Sequence, residues 1–167
     1  MKGNSIEYKN FVIYPEYCGY SESQLADRSL ESDKYHIAAI PRDGKNEAVV
    51  FYKGSLIYSR AKYQLYFKET KFAEKGTIKP EIITLAGWNV LILICYEIIF
   101  PEDYFIQTKD VDLVVHVVGY PMYDENQREA WIALQKCISL KFKCPVVCCC
   151  GGNEGRMKIT GIISTLL

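Results

Sequence analysis

Four short runs of this chain are apolar at nearly every position, and they constrain its fold more than any other feature. Residues 11–14 form the first, 90–94 the second, 113–118 the third and 146–150 the fourth. A strand with one face in water alternates apolar and polar side chains. Continuous runs this short suit strands buried on both faces. Such strands need helices over them, and residues 125–142 supply one pattern, with Trp131, Leu134 and Ile138 on a single helical face. Pro101, followed by Glu102 and Asp103, fits the first turn of a shorter helix.

The middle of the chain reads as a meander. Residues 35–40 and 48–52 form strands joined around Asp43-Gly44, and a second turn at Gly54-Ser55 leads into Leu56, Ile57 and Tyr58. Mixing antiparallel strands with strand–helix–strand units predicts an α/β protein whose sheets are covered by helices. At 167 residues, the expectation is one domain, 1–167. Twenty basic side chains offset twenty acidic ones, so there is no net field for nucleic acid or an anionic membrane. Residues 1–10 lack an apolar leader, and the longest apolar stretch, 90–100, contains Glu97 and is too short to span a bilayer. The expected location is cytoplasmic.

Seven cysteines, an odd number without a secretion signal, argue against a disulfide framework. No Cys-x-x-Cys pair suggests zinc. Cys148, Cys149 and Cys150 alternate faces in a strand and cannot all grip one ion. Most of the seven read as small buried apolar residues.

Cys95 differs by position. It ends the most apolar run, at the strand end where open α/β sheets hold ligands. It also precedes a helix start, a setting that lowers a thiol pKa and favours thiolate. From position alone, a core cysteine is the simpler reading. A thiol nucleophile needs a base. His116 reads as a satisfied core histidine and His36 lies in the meander. Neither has a context that singles it out. Glu16 follows Pro15 at the end of the first run, a strand end like that of Cys95, where a carboxyl could hold a raised pKa. Lys62 lies among Tyr58, Tyr63, Tyr66 and Phe67, which would desolvate it.

Taken in order, these residues resemble the nitrilase superfamily of carbon–nitrogen hydrolases. Ile13-Tyr14-Pro15-Glu16-Tyr17-Cys18-Gly19-Tyr20 is similar to the family's glutamate block. The stretch 58–76, with Lys62, Leu65, Glu69, Phe72 and Gly76, is similar to its lysine block. The stretch 87–102, with Ile94-Cys95-Tyr96-Glu97 and Phe100-Pro101-Glu102, is similar to its cysteine block. The resemblance implies a four-layer α-β-β-α sandwich of the nitrilase type, shortened at both ends. It implies that Cys95 attacks the substrate carbon, that Glu16 takes the thiol proton, and that Lys62 and the Tyr96 N–H stabilise the tetrahedral intermediate. It also implies that Glu69 supports Lys62 or orients substrate. No metal or organic cofactor is implied.

The resemblance also implies a small-molecule amide rather than a nitrile, because the family's nitrile-cleaving branch more often has tryptophan after the cysteine, where this chain has Tyr96. The leading expectation is therefore an amidase-type hydrolase working through a thioester. The alternatives are a catalytically inactive homologue serving as a binding or assembly subunit, and an unrelated cysteine-rich α/β binding module. The apolar segment 161–167 would be an exposed edge unless paired, which predicts a homodimer or higher homo-oligomer. The sequence does not name the substrate.

Overall fold

The computed structural model describes residues 5–100, 110–119, 124–151 and 160–164. Among the described residues, ten strands form two five-stranded sheets. The first holds β1 (Ile6–Tyr8), β2 (Phe11–Glu16), β3 (Tyr35–Arg42), β4 (Lys45–Tyr52) and β5 (Ser55–Ala61), in chain order. The second holds β6 (Ile82–Leu85), β7 (Trp88–Ile94), β8 (Leu113–Val118), β9 (Val146–Cys150) and β10 (Gly161–Ile163), again adjacent in sequence order. β2 and β3 pair in parallel, as do β7, β8 and β9; the remaining neighbours are antiparallel. Two helices are described, α1 (Glu22–Leu30) and α2 (Glu125–Phe142).

Side-chain alternation sorts the core into layers. Phe11 and Ile13 of β2, Ala48 and Val50 of β4, Val90, Ile92 and Ile94 of β7, Val115 and Val117 of β8 and Val147 and Cys149 of β9 meet in one cluster between the sheets. The alternate residues face outward. Val12, Tyr14, Ala38, Ile40, Val49 and Phe51 pack on Leu25 of α1. Leu91, Leu93, Val114 and Val146 pack on Ile138, Trp131 and Leu134 of α2. The result is helix, sheet, sheet, helix. Strands 90–94, 113–118 and 146–150 are apolar throughout because both of their faces are covered.

Some elements depart from the sequence reading. Helix α1 has no strong apolar stripe to announce it. Its start is set by Ser21, whose hydroxyl accepts from Gln24 N while the Gln24 side chain accepts from Ser21 N. The short strands β1 and β6 also escape a search for long apolar runs. The second hairpin turn falls at Lys53-Gly54, one residue before the expected Gly54-Ser55, because Tyr52 pairs with Ser55. Both turn residues have positive φ, 50° and 79°, as a tight two-residue hairpin requires. The expected helix at Pro101 and residues 165–167 lie outside the described residues.

Among the described residues, β10 is an edge strand, paired with β9 on one side only, and Ile162 is half exposed. Among the described residues, no helix is long and apolar enough to cross a membrane.

Candidate active site

Two register shifts decide which side chains reach the space between the sheets. On β2, odd-numbered residues point inward and even-numbered ones toward α1, so strict alternation would send Glu16 outward. The β2–β3 register shifts between Ile13 and Glu16, around Pro15, which has no N–H for the ladder. The shift reverses the phase, and Glu16 turns inward with 1% of its surface exposed. β5 repeats the device. Leu56 pairs with Phe51 on the outer face and Tyr58 with Val50 on the inner one, leaving Ile57 as the extra residue. Beyond that bulge Tyr58, Arg60 and Lys62 share the inner face.

Lys62 lies one residue beyond the end of β5, and its side chain reaches Glu16 at the end of β2. Its Nζ donates to Glu16 Oε1 at 2.8 Å and to Glu69 Oε2 at 2.6 Å, and the residue is 1% exposed. The backbone fixes it on both sides. Lys62 N donates to Asn46 O at 2.7 Å, and Gly76 N donates to Lys62 O at 2.8 Å. A Cβ at Gly76 would lie 2.4 Å from the Ala61 carbonyl oxygen, so only glycine allows this approach. Glu69 is held by the Tyr17 hydroxyl at 2.9 Å and Tyr66 N at 2.8 Å. Asn46 Nδ2 bridges the carboxylates, 2.7 Å from Glu16 Oε1 and 3.0 Å from Glu69 Oε1. The other Glu16 oxygen, Oε2, accepts from Gly119 N at 2.9 Å. A Cβ at Gly119 would fall 2.7 Å from that oxygen.

The structure therefore brings Glu16, Lys62 and Glu69 into direct contact. Cys95 follows the end of β7, heading a short 3-10 helix, Cys95–Ile99, with φ of 47°. A left-handed backbone at a non-glycine residue costs on the order of 1–2 kcal/mol and has to be held by its surroundings. The thiol feels the charges of Glu16, Lys62 and Glu69, and the Gly119 N–H faces it. The same N–H that holds Glu16 Oε2 thus also faces the sulfur.

The charge balance corrects one expectation. A helix start and a neighbouring lysine predict thiolate. Instead, burial first and the Glu16 charge second push the Cys95 thiol well above its ordinary range, with Lys62 only partly opposing them. Stoichiometry adds to burial. One cation faces two carboxylates, so the cluster beside the sulfur is not net positive. Burial also raises Glu16, against the opposing pull of Lys62. Burial would raise Glu69 too, but Lys62, Tyr66 N and the Tyr17 hydroxyl outweigh it and hold Glu69 low. Burial would lower Lys62, yet the charges of Glu16, Cys95 and Glu69 raise it. A carboxylate that binds protons readily, beside a thiol that keeps its own, can exchange a proton with it.

The histidines lie elsewhere. His36 bonds Tyr14 and Ser32 on the α1 side of its sheet. His116 lies under α2 and contacts the Cys95 carbonyl oxygen at 3.1 Å. Among the described residues, no group of three His, Cys, Asp or Glu side chains is arranged to hold a metal ion.

Sequence reasoning missed Asn46, Tyr17, Arg60 and Glu97. Glu97 is fully buried. Its Oε1 accepts from Arg60 Nη1 at 2.8 Å and Tyr63 N at 2.7 Å, and its Oε2 from Arg60 Nη2 at 2.8 Å and Ile94 N at 2.9 Å. Arg60 Nη2 also donates to Ile92 O at 3.2 Å. The pair ties the lysine-bearing chain of one sheet to the cysteine-bearing chain of the other. An acidic residue two positions beyond the cysteine was the one available signal.

Comparison with known proteins agrees with this architecture. A CN-hydrolase superfamily protein from Xanthomonas campestris, solved with an arsenic adduct in its active site, is 16% identical. It superposes with a TM-score of 0.76, covering 95% of this chain and 71% of its own. A carbon-nitrogen hydrolase from Helicobacter pylori G27 is 17% identical with a TM-score of 0.79, covering 95% and 70%. A mutant amidase from Nesterenkonia sp. AN1, showing Michael addition of acrylamide at the active-site cysteine, is 15% identical with a TM-score of 0.76, covering 94% and 72%. At these identities the likeness establishes the fold, that of the nitrilase superfamily. No curated protein matches the chain by sequence. The family model for carbon-nitrogen hydrolase matches residues 59–161, which include Lys62, Glu69 and Cys95 but not Glu16. That match spans more than half of the chain, and the protein belongs to the carbon–nitrogen hydrolase family.

Proposed function

We propose that the protein hydrolyses a small-molecule amide through a Cys95 thioester. The observation that carries this reading is the buried Glu16–Lys62–Glu69 cluster with Gly119 N–H facing both Glu16 and the Cys95 thiol. As the Cys95 sulfur bonds to the carbonyl carbon, its proton passes to Glu16. The substrate oxygen takes up the developing negative charge, opposite Lys62 Nζ and the Tyr96 N–H. Collapse of this intermediate breaks the carbon–nitrogen bond, and Glu16 returns the proton to the leaving amine. Water, deprotonated by Glu16, then attacks the thioester. Carboxylic acid leaves and the thiol is restored. Glu69 stays charged, holds the ammonium and keeps Lys62 from drifting.

Amides are preferred to nitriles in this reading because tyrosine follows Cys95, and the Nesterenkonia fold neighbour is an amidase. A homo-oligomer that covers the edge of β10 belongs to the same reading, and sedimentation tests it.

The functional test combines ammonia release from a panel of short amides with brief, substoichiometric iodoacetamide labelling and peptide mapping. The expected result is that Cys95 labels ahead of the other thiols, that Lys62→Ala loses that lead, and that at least one amide is turned over. Labelling of Cys95 no faster than the rest, with no amide cleaved, contradicts the proposal.

A further inference from the structure

His116 is fully buried between its sheet and α2, in a layer that is otherwise largely apolar. Its ring stacks on Trp131 with centroids 5.5 Å apart and planes 13° from parallel. One ring nitrogen, Nε2, lies 3.1 Å from the Cys95 carbonyl oxygen, and the other, Nδ1, lies 3.1 Å from Gln135 Nε2. A carbonyl oxygen can only accept, so Nε2 must carry a proton. Burial, offset in part by the contact with the Cys95 carbonyl, lowers the histidine pKa to about 4, so the ring is neutral near pH 7. A neutral imidazole has one N–H, so Nδ1 is the acceptor and the Gln135 amide donates to it. Gln135 thereby fixes the tautomer that donates to Cys95.

The consequence follows from peptide geometry. The Cys95 carbonyl and the Tyr96 N–H belong to one planar peptide unit, and no described peptide bond is cis. In a trans unit the two groups point in opposite directions. Holding the carbonyl under α2 therefore aims the Tyr96 N–H away from α2. It also restrains the strained Cys95 backbone, whose φ is 47°. We infer that His116, locked by Gln135 and stacked on Trp131, is a positioning residue that orients the Tyr96 N–H as an oxyanion donor. This rests on the proposed function, in which the Tyr96 N–H has that role.

The test separates two reactions of the same thiol. Alkylation by iodoacetamide displaces iodide and develops no oxyanion. Reversible addition of propionaldehyde breaks the thiol S–H bond, its proton passing to Glu16, forms a sulfur–carbon bond and leaves the negative charge on the oxygen of the now tetrahedral carbon, where it needs the donor. In His116→Phe, which keeps the stack but loses the N–H, the affinity for propionaldehyde and the kcat for amide hydrolysis should each fall roughly 10- to 100-fold. KM and the Cys95 alkylation rate should hold. The fold change is at or below that for deleting an oxyanion donor outright. His116→Gln, whose amide can donate from a similar position, should restore most of the loss. Gln135→Met keeps the histidine and frees its tautomer, and should show the same pattern more weakly; it also serves if His116→Phe fails to fold.

Alkylation and aldehyde affinity falling together, or neither moving, would overturn the inference. So would a wild type whose Cys95 alkylates selectively but binds no aldehyde. Wild-type Cys95 alkylating no faster than the other six thiols would instead overturn the catalytic reading beneath it.

Discussion

Arg60 and Lys62 stand two residues apart on the same face of one chain segment, both buried, and each meets carboxylates there. Their surroundings differ in one respect. Arg60 faces a single carboxylate, Glu97, whose four hydrogen bonds are all filled, two by the guanidinium and two by backbone N–H groups. Lys62 faces two carboxylates, Glu16 and Glu69. The matched pair has no surplus charge and works as a clamp between the sheets. The unmatched cluster carries one anion more than cation, and that surplus adds to burial, the larger cause, in raising both Glu16 and Cys95. Similar burial thus gives a brace in one place and a proton acceptor in the other.

The largest effect should come from removing the surplus anion. Glu16→Gln keeps the size of the side chain and leaves Lys62 paired with Glu69. Amide hydrolysis should drop about 10³-fold or more, the scale of losing a general base, while the melting temperature barely moves. Steady-state kinetics and thermal unfolding together check this. A large stability loss with modest loss of activity would make Glu16 a second brace.

The clamp should behave in the opposite way. Glu97→Ala leaves Arg60 buried and uncompensated, at a cost of about 3–5 kcal/mol in unfolding free energy measured by denaturant titration. Activity per folded molecule should fall less than in Glu16→Gln. If it falls equally, the clamp also takes part in the chemistry.

Stability should also depend on His116. Its folded pKa of about 4 lies below the unfolded value of 6.5. The unfolded chain therefore binds the proton more readily between those values. Stability is full above about pH 6.5 and falls as pH drops toward 4, by an amount on the order of 3 kcal/mol from this residue alone. His116→Gln should flatten that part of the pH–stability curve, and an unchanged slope would assign the loss to other groups.

Asn46→Ala should give the smallest change, about 1.5–3 kcal/mol in stability, the scale of hydrogen bonding to charged groups, since one amide nitrogen shared between two carboxylates is lost. The accompanying loss of activity should be smaller than for Glu16→Gln.

Legibility from sequence followed the same division. Strands buried on both faces were readable because apolar runs need no knowledge of neighbours: 113–118 and 146–150 coincide with β8 and β9. The helix at 125–142 was readable from its periodicity, whereas α1 was not, because its apolar face rests mainly on Leu25 and its start on a local cap. The residues that meet around Lys62 were legible as motifs but not as geometry. Alternation alone sends Glu16 to the wrong face, and only the bulge at Pro15 brings it back. Asn46, Tyr17 and the Arg60–Glu97 pair depend on contacts between segments distant in sequence, which composition and spacing do not encode.

In the proposed mechanism Cys95 rests as a protonated thiol and Glu16 takes its proton. The most direct test is the rate of Cys95 alkylation by iodoacetamide as a function of pH, followed by peptide mapping in wild type and Glu16→Gln. The wild-type rate should rise along a limb set by Glu16, centred above the ordinary carboxyl value of 4.5, and Glu16→Gln should abolish that limb. A rate that follows the same thiol titration in both proteins, with no carboxylate limb, would contradict the claim.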